Sequence, residues 1–235
     1  MADVFGEAIR SYHLLGDDSI EIEVFSDLAG DEVIPVEYFF RQYQDMPQLE
    51  QKALQLSSGR ILDVGAGSGA HSLYLQEQGF EVTALEKSNG CCDVMEECGV
   101  QDILEVDFFE LRGNKYDTIL LLMNGLGIAG HLERLDEFLM HCKSLLTKDG
   151  QILLESVDIL YMYQDEEGGF NIDLNAGYYG NMNYTIQFGE SQENFDWLYV
   201  SFDLLFDAAK KVGLKATKIM DGGSHNYLAS LTGKA

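Results

Sequence analysis

The sequence predicts an α/β fold in which a largely parallel sheet carries helices on both faces. From Arg60 onward, short apolar runs alternate with amphipathic segments, and this alternation is typical of parallel strands joined by helical crossovers. A glycine-rich bend at 65–69 lies between the first apolar run and the first helix. Two final apolar segments, 214–220 and 225–232, indicate further strands. With 235 residues, 46% of them hydrophobic, the chain is large enough for one such domain with a cap.

Each element of this core is predicted from a local pattern. Apolar runs bounded by turn residues predict the strands, and segments of helical periodicity between them predict the crossovers. The predicted strands are 61–64, 81–86, 103–107, 116–124 and 149–156, and the predicted helices are 69–78, 89–98, 131–147 and 201–212.

The chain is expected to divide into an N-terminal cap and a main domain. Residues 1–59 precede the first core strand and form the predicted cap, and the main domain covers 60–235. An insertion at about 158–200 interrupts the main domain. Within it, two aromatic runs, 182–188 and 195–199, flank a polar turn and predict a hairpin.

The cap itself has two kinds of pattern. Residues 20–25 alternate with period two, and 33–36 form a second extended piece, so the two predict a hairpin. Pro35 would confine the second strand to a sheet edge, because proline cannot donate to a ladder. From 37–56 the pattern is helical, with an interruption at Pro47 that indicates a helix start.

The glycine-rich bend carries the chemistry of the chain. Glycines at alternate positions from Gly65 let the backbone turn tightly and approach a bound nucleoside. Asp63, two residues before Gly65, would repel a dinucleotide pyrophosphate and is placed to hold an ammonium or to order the loop. Glu86 ends the next predicted strand, where a carboxylate can accept both ribose hydroxyls of an adenosine.

Together, these residues resemble the first motif of the class I S-adenosylmethionine-dependent methyltransferases, D-x-G-x-G-x-G. The run 145–151 resembles the turn that precedes the fifth strand of that family, with Lys148 and Asp149 in place of its proline and glycine. The runs 122–130 and 38–41 look like a group of bacterial methyltransferase-like proteins of unassigned substrate. The resemblance implies a Rossmann-like, doubly wound, seven-stranded mixed sheet with an antiparallel last strand, an N-terminal cap and an inserted β-hairpin.

The same resemblance implies S-adenosyl-L-methionine as cofactor and assigns its contacts. In the family, an acid at the position of Asp107 contacts the adenine amino group, and its neighbour Phe108 packs on the ring. The implied cofactor-binding residues are Asp63, Gly65, Ala66, Gly67, Ser68, Gly69, His71, Glu86, Lys87, Asp107, Phe108 and Asn124.

The catalytic candidates are Asn124, His131 and His225, which are expected at the ligand-binding edge of the sheet. Amino-methylating DNA enzymes of this superfamily have an Asn/Asp-Pro-Pro-aromatic motif at the position of Asn124. The sequence Asn124–Gly127 lacks the prolines and the aromatic residue, which argues against base methylation. The alternative for Asn124 is a loop-capping role, and for each histidine it is a structural one.

The acceptor pocket is predicted from tyrosines and one arginine in the cap and in the insertion. Tyrosines can form cation–π or hydrogen-bonding walls around an amine or an aromatic acceptor. The same residues could instead form a lid or a surface for a partner. The candidates are Tyr38, Arg41, Tyr161, Tyr163, Tyr178 and Tyr179.

Composition limits the classes of partner. A net charge of −25 argues against nucleic acid, because a phosphate backbone needs a basic surface. No apolar run approaches the ~20 residues of a membrane span, and the acidic start lacks the profile of a secretion signal. The four cysteines show no paired metal spacing. We therefore expect a cytoplasmic protein, monomeric or homodimeric, without a metal and without membrane or nucleic-acid partners.

The functional hypothesis is transfer of a methyl group from S-adenosylmethionine to a small-molecule acceptor by in-line displacement. One alternative is a protein or peptide methyltransferase, whose acceptor would need an open cleft. Another is a non-catalytic protein that binds S-adenosylmethionine or a nucleotide, and a third is an NAD-dependent oxidoreductase on a similar sheet. Asp63 and the two terminal strands argue against the dinucleotide enzyme.

Overall fold

Eleven strands form two sheets in the computed structural model, which describes residues 2–26, 28, 30–165, 167–173 and 177–233. The strands are β1 (Glu21–Ser26), β2 (Gly30–Pro35), β3 (Arg60–Val64), β4 (Glu81–Glu86), β5 (Ile103–Glu105), β6 (Tyr116–Leu121), β7 (Leu146–Val157), β8 (Asn181–Phe188), β9 (Ser191–Leu198), β10 (Leu214–Asp221) and β11 (Asn226–Gly233). The helices are α1 (Val4–Leu15), α2 (Gln48–Leu56), α3 (Ala70–Glu77), α4 (Asn89–Cys98), α5 (Leu135–Leu145) and α6 (Phe202–Lys211).

The larger sheet has seven strands in the order β10-β11-β7-β6-β3-β4-β5. The strands β3 to β7 pair in parallel, whereas β11 is antiparallel to both β7 and β10. This topology confirms the predicted Rossmann-like mixed sheet with its antiparallel last strand. The central strands are buried on both faces, which accounts for their nearly continuous apolar sequences.

Two hydrophobic cores cover the two faces of this sheet. One lies against α5 and α6 and contains Leu62, Ile119 and Leu154. The other lies against α2 and α3 and contains Ile61 and Leu153. Consecutive residues of one strand therefore point to opposite faces, as the period of a strand requires. This alternation also decides which face receives the polar side chains at the strand ends.

The smaller sheet has the order β2-β1-β8-β9 and joins the cap to the insertion. Both predicted hairpins form, and β1 pairs antiparallel with β8 across them. Pro35 ends the edge strand β2, as its missing N–H predicts. Ile22 and Ile186 of this sheet pack with Val4 and Ile9 of α1, so the cap and the insertion share one core.

Helix α1 was not predicted from the sequence. Asp3 caps it by accepting a hydrogen bond from the Gly6 N–H (3.1 Å), and Gly16 ends it in a left-handed conformation. The second oxygen of Asp3 accepts the N–H of Gly90 at the start of α4 (2.8 Å). A Cβ on Gly90 would lie 2.6 Å from the carbonyl carbon of Gly6, so α1 and α4 touch through their backbones.

Several predicted boundaries were wrong. The strand predicted at 103–107 ends at Glu105, because the Asp107 side chain accepts the Phe109 N–H (2.8 Å) and starts a 3₁₀ turn. The strand predicted at 116–124 ends at Leu121. The helix predicted at 131–147 begins as a 3₁₀ helix and is α-helical only over α5, and β7 begins directly after it. The predicted six-residue turn of the inserted hairpin is replaced by a tight turn at 189–190.

No helix in the described part of the chain is both long and apolar enough to cross a membrane. The same residues contain no group of three or more histidine, cysteine, aspartate or glutamate side chains that could hold a metal ion.

Candidate active site

The glycine-rich bend connects β3 to α3 at the carboxyl edge of the large sheet. Gly65, Gly67 and Gly69 all have positive φ, at 70°, 58° and 86°, which a side chain would strain. The N–H groups of Gly65 and Ala66 donate to the carbonyl of Leu85 on β4, at 2.9 and 3.1 Å. The bend is therefore fixed against the neighbouring strand and exposes its backbone where the sequence predicts a nucleoside.

Glu86 ends β4 and lies across the opening of this bend. Its Oε2 accepts the N–H of Gly67 (3.0 Å), and its Oε1 accepts the N–H groups of Lys87 (2.8 Å) and Ser88 (3.0 Å). Burial raises the pKa of Glu86, and the three N–H donors oppose that rise. Lys87 contributes its backbone N–H here, whereas its ammonium is exposed and lies 3.9 Å from Glu193.

Asp63 is buried at the end of β3, on the face of the sheet that carries α2 and α3. Its Oδ2 accepts a hydrogen bond from the Ser72 hydroxyl on α3 (2.7 Å). This bond ties the strand to the helix across the glycine bend. The carboxylate is thus held beside the bend, as its position in the sequence predicts.

A buried ionic group lies next to Asp63 and links the cap to the main domain. His71 Nε2 lies 2.7 Å from Glu50 Oε2, and the Arg41 guanidinium donates to the same oxygen. Burial opposes both charges, yet the hydrogen bond from His71 keeps the pKa of Glu50 lowered. The Glu50 hydrogen bond and the Asp63 charge likewise keep the pKa of His71 raised despite its burial. The pairing therefore favours the charged form of both Glu50 and His71 over the neutral form.

Arg41 has one unsatisfied donor in this group. Its Nη1 donates to the Tyr38 carbonyl (2.7 Å), and its side chain is only 6% exposed. The buried Nε atom has no hydrogen-bond partner in the described part of the chain. A buried donor without an acceptor costs free energy, so Arg41 Nε is a candidate donor to a ligand.

Glu155 was not singled out in the sequence. It lies near the end of β7, on the same face as Asp63, and its Oε2 accepts the Met123 N–H (2.8 Å). Burial, followed by the nearby Glu50 carboxylate, raises the pKa of Glu155 to about 7. The sequence does contain a signal for this residue. Glu155 is an acid directly after the apolar run Ile152–Leu154, at the edge of the sheet where ligands bind.

The three catalytic candidates lie in different places. Asn124 is at the edge of the large sheet, where it has a left-handed backbone (φ 58°) and begins a 3₁₀ helix. His131 Nε2 lies 3.0 Å from Asp196 of β9, and both side chains are nearly half exposed. His225 stacks on Tyr161 at 4.6 Å between ring centroids. The structure does not bring the two histidines together, and their catalytic roles stay predictions.

His225 lines a separate surface cleft of about 460 Å³. The cleft lies between the β10–β11 turn and the start of α6, and its wall includes Asp158, Phe202 and Lys218. None of its described lining residues belongs to the glycine bend. A role of His225 in catalysis would therefore require the acceptor to extend from this cleft toward the bend.

Asp107 and Phe108 follow β5. Phe108 is buried in the core, where its ring centroid lies 5.4 Å from that of Phe138 and 4.7 Å from that of His141. Asp107 caps the 3₁₀ turn. The contacts of this pair with adenine stay predictions. Because Phe108 packs in the core, only part of its ring is free to contact adenine.

The tyrosines predicted to line the acceptor pocket divide into two sets. Tyr163 donates to the Tyr179 carbonyl (2.9 Å) and Tyr179 donates to Asp158 (2.8 Å), so these rings hold the insertion together with the half-buried Tyr178. Tyr38 and Tyr161 remain 41% and 43% exposed. Of the tyrosine candidates, these two have the most free surface for a ligand.

Comparison with known proteins identifies the family. A family model for a methyltransferase domain matches residues 37–198. The crystal structure of an S-adenosylmethionine-dependent methyltransferase from Bacteroides fragilis, in complex with S-adenosyl-L-homocysteine, is 41% identical and superposes with a TM-score of 0.92. The superposition covers 99% of this chain and 95% of that chain. The chain belongs to the S-adenosylmethionine-dependent methyltransferases. S-adenosyl-L-methionine is its cofactor.

More distant relatives agree with this methyltransferase fold. The sugar N-methyltransferase KedS8 from Streptoalloteichus sp ATCC 53650 is 13% identical, with a TM-score of 0.57 over 84% of this chain and 88% of that chain. A ubiquinone biosynthesis O-methyltransferase from Rickettsia canadensis is 26% identical over 129 residues. That match spans 52% of this methyltransferase and about half (49%) of the relative.

We expect the buried ionic group to make stability depend on pH. Because its folded pKa is raised above 6.5, charged His71 contributes stability that is fully present below pH 6.5 and lost as pH rises through the folded value. Glu50, whose pKa is lowered, stays ionised over this range. The melting temperature of His71→Gln should therefore lie further below that of the wild type at pH 6 than at pH 9.

Thermal melts of both proteins across this pH range measure the effect. His131→Gln is the matched control, because its half-exposed pair with Asp196 contributes little to stability. A loss in His71→Gln that is constant with pH would show that the imidazole is not charged in the folded protein.

Proposed function

We propose that this methyltransferase transfers its methyl group to a small-molecule acceptor. The observation that carries the proposal is a roof over the glycine bend, built from the chain itself. The rings of Phe5 and Phe39 meet edge to face at 4.9 Å. Phe5 would contact a Cβ on Gly67 at 3.7 Å, and the Ser68 hydroxyl donates to the Phe39 carbonyl. A bend that is covered in this way favours a small acceptor, whereas a peptide needs an open groove.

The residues around the bend fit S-adenosylmethionine. The positive-φ glycines leave the backbone free to approach a nucleoside, and Glu86 is placed to accept its ribose hydroxyls. Asp63 would attract the ammonium of the methionine part. The unsatisfied Nε of Arg41 would donate to the carboxylate, which is the ligand that a guanidinium prefers. When bound, the cofactor supplies a methyl group already activated on a sulfonium.

The protein then has to orient the acceptor and keep water out. Holding the nucleophile in line with the methyl–sulfur bond can lower the barrier by ~7–11 kcal/mol through proximity and orientation. Asn124, three residues after the end of β6, and Tyr38, whose ring contacts Phe39 of the roof, are the residues we propose to contact the acceptor. The names of the ubiquinone-pathway relative and of the sugar N-methyltransferase both describe small-molecule acceptors and support the proposal.

The test combines ligand binding with product detection. S-adenosylmethionine and S-adenosylhomocysteine should each stabilise the protein, by about 2.7 kcal/mol at a hundredfold excess over Kd, whereas NAD should not. The protein and labelled S-adenosylmethionine are then incubated with a small-metabolite fraction and with a peptide fraction. Only the small-metabolite fraction should become labelled.

Three outcomes would replace the proposal. Stabilisation by NAD alone would support the dinucleotide enzyme. Labelling confined to the peptide fraction would support the protein methyltransferase. Tight cofactor binding without product in either fraction would support a non-catalytic binding protein.

A further inference from the structure

The surface cleft that His225 lines lies at the carboxyl edge of the large sheet. Asp158 of its wall directly follows β7, and Asn226 begins β11 and pairs with Val157 at the end of β7. The glycine bend follows β3 at this same edge, which is where ligands bind in sheets of this kind. The volume of about 460 Å³ is in the range of pockets that hold small organic molecules.

Hydrogen-bond acceptors and donors lie side by side in the wall of the cleft. Asp158 uses its Oδ1 to accept the Leu160 N–H (3.0 Å) and the Tyr179 hydroxyl (2.8 Å). Its Oδ2 has no hydrogen-bond partner among the described residues. The Lys218 ammonium donates to Asp221 (2.8 Å), and an ammonium has three N–H bonds, so it can donate to a ligand as well. The cleft therefore offers both kinds of hydrogen-bonding group at once.

Aromatic rings form another part of the wall. The Lys218 ammonium covers the rings of Phe202 and Tyr227, at 5.2 and 5.8 Å from their centroids. The exposed imidazole of His225 stacks on Tyr161, with 4.6 Å between centroids and 16° between planes. This histidine has a left-handed backbone (φ 59°), which glycine adopts with less strain. One face of the imidazole is therefore covered by Tyr161, and the other is available to a ligand.

These groups select among classes of ligand. An anion such as a phosphate would meet the carboxylates of Asp158, Asp203 and Asp221. A cation would meet the Lys218 ammonium in front of the two rings. An apolar molecule would bury these charges without hydrogen bonds, which costs free energy. A hydroxyl group both donates and accepts, so it fits a carboxylate next to an ammonium, and the C–H face of a hydroxylated ring can pack on an imidazole.

A row of aromatic residues leads from the cleft to the loop after β6. Its rings are, in order, those of His225, Tyr161, Tyr184, Phe195 and Trp197. Centroids are 4.6 Å apart in the first pair and 5.9 and 5.8 Å apart in the last two, and Tyr161 lies within electrostatic reach of Tyr184. Trp197 packs on Gly127, three residues after Asn124, where an added Cβ would lie 2.0 Å from its Cε2. The insertion therefore links the cleft to the proposed place of the acceptor.

We propose that this cleft binds the part of the acceptor that is remote from the methyl group, and that this part is a neutral hydroxylated ring. The inference rests on the proposed methyl transfer to a small molecule. Asn124 follows β6 and the cleft lies at β11, two strands away, which corresponds to about 10 Å across the sheet. The acceptor therefore carries its nucleophile about 10 Å from this ring.

Direct binding tests the cleft without a known acceptor. Saturation-transfer NMR on the full-length protein is recorded with glucose, galactose, mannose, ribose and myo-inositol as neutral probes. At least one of these rings should receive saturation. Its amino and phosphate derivatives, which add a positive and a negative charge to the same ring, should bind more weakly. No transfer to any neutral ring, or tighter binding of a charged derivative, overturns the assignment.

The variant His225→Gly locates the bound ring. Glycine fits φ 59°, so the melting temperature should stay near that of the wild type, while the ring should bind about three to ten times more weakly, the scale of one lost aromatic contact. The control Ser224→Ala changes an exposed neighbour outside the cleft lining and should bind like the wild type. If His225→Gly does not fold, His225→Asn replaces it, because asparagine also tolerates a left-handed backbone. Unchanged binding in the folded variant would place the ring outside the cleft and overturn the inference.

Turnover separates this inference from the proposed function. The labelled small-molecule product should contain a hydroxylated ring, as fragmentation in a mass spectrometer can show. With that acceptor, His225→Gly should raise KM about three- to tenfold and leave kcat and S-adenosylhomocysteine affinity near those of the wild type. A product without such a ring, an unchanged KM, or a loss confined to kcat would overturn the inference and leave methyl transfer intact. Absence of any labelled small molecule would contradict the proposed function, and the binding experiment would still decide about the cleft.

Discussion

Replacing Glu86 by alanine is expected to weaken the binding of S-adenosylhomocysteine by about tenfold or more. Hydrogen bonds to a charged group contribute about 1.5–3 kcal/mol each, and about 1.4 kcal/mol corresponds to a factor of ten. The substitution would remove the proposed contact between the carboxylate and the ribose. It would also leave the N–H groups of Gly67, Lys87 and Ser88 without their acceptor. The glycine bend would then lose the acceptor that fixes its middle residue.

Calorimetric titration measures this change, and β4 offers its own control. Glu81 begins the same strand, with a side chain that is 67% exposed and paired with Arg60. Glu81→Ala should leave the affinity unchanged. Asp63→Ala should reproduce the loss seen in Glu86→Ala, since it removes the proposed partner of the cofactor ammonium. Unchanged affinity in both Asp63→Ala and Glu86→Ala would contradict the cofactor site.

The sheet and the glycine bend could be predicted because their causes are local. Parallel strands buried on both faces require apolar runs, and a bend that approaches a ligand requires glycine at fixed spacing. The positions of Asp63 and Glu86 beside the bend could be predicted for the same reason, because they are adjacent to such runs in the sequence, whereas their contacts with the cofactor stay predictions.

The rest of the site depends on contacts between distant parts of the chain. Glu50, His71 and Glu155 come from α2, α3 and β7, and no spacing in the sequence relates them. Helix α1 was missed although Asp3 and Gly16 are local cap signals, whereas its packing on α4 depends on the backbone contact between Gly6 and Gly90, which no local pattern shows. A sequence pattern shows the apolar face of such a helix, but it does not show which surface that face covers.

The tyrosines illustrate the same limit. Aromatic residues in a loop predict a binding wall and a folded loop core equally well, because both uses bury a ring and satisfy a hydroxyl. The structure separates them through hydrogen bonds such as the one from Tyr179 to Asp158. Tyr38 and Tyr161 keep exposed rings and remain candidates for acceptor contacts.

The contact between α1 and α4 leads to a second large expected effect. In Gly90→Ala, the new Cβ would lie 2.6–2.7 Å from backbone atoms of Gly6, so one helix must move. Overpacking of this kind costs about 2 kcal/mol, more than the up to ~1 kcal/mol that alanine gains over glycine in a helix. The net loss of about 1 kcal/mol predicts a melting temperature about 2–4 °C below that of the wild type for a chain of this size.

The affinity for S-adenosylhomocysteine should fall in the same variant, because α1 carries Phe5 over the glycine bend. Gly223→Ala is the matched control: its φ is not positive, no atom lies within 4 Å of the added Cβ, and its melting temperature should stay near that of the wild type. A Gly90→Ala protein that melts like the wild type would show that α1 does not rest on α4. The roof that favours a small acceptor would then lose its support, whereas the cofactor site formed by β3 and β4 would not.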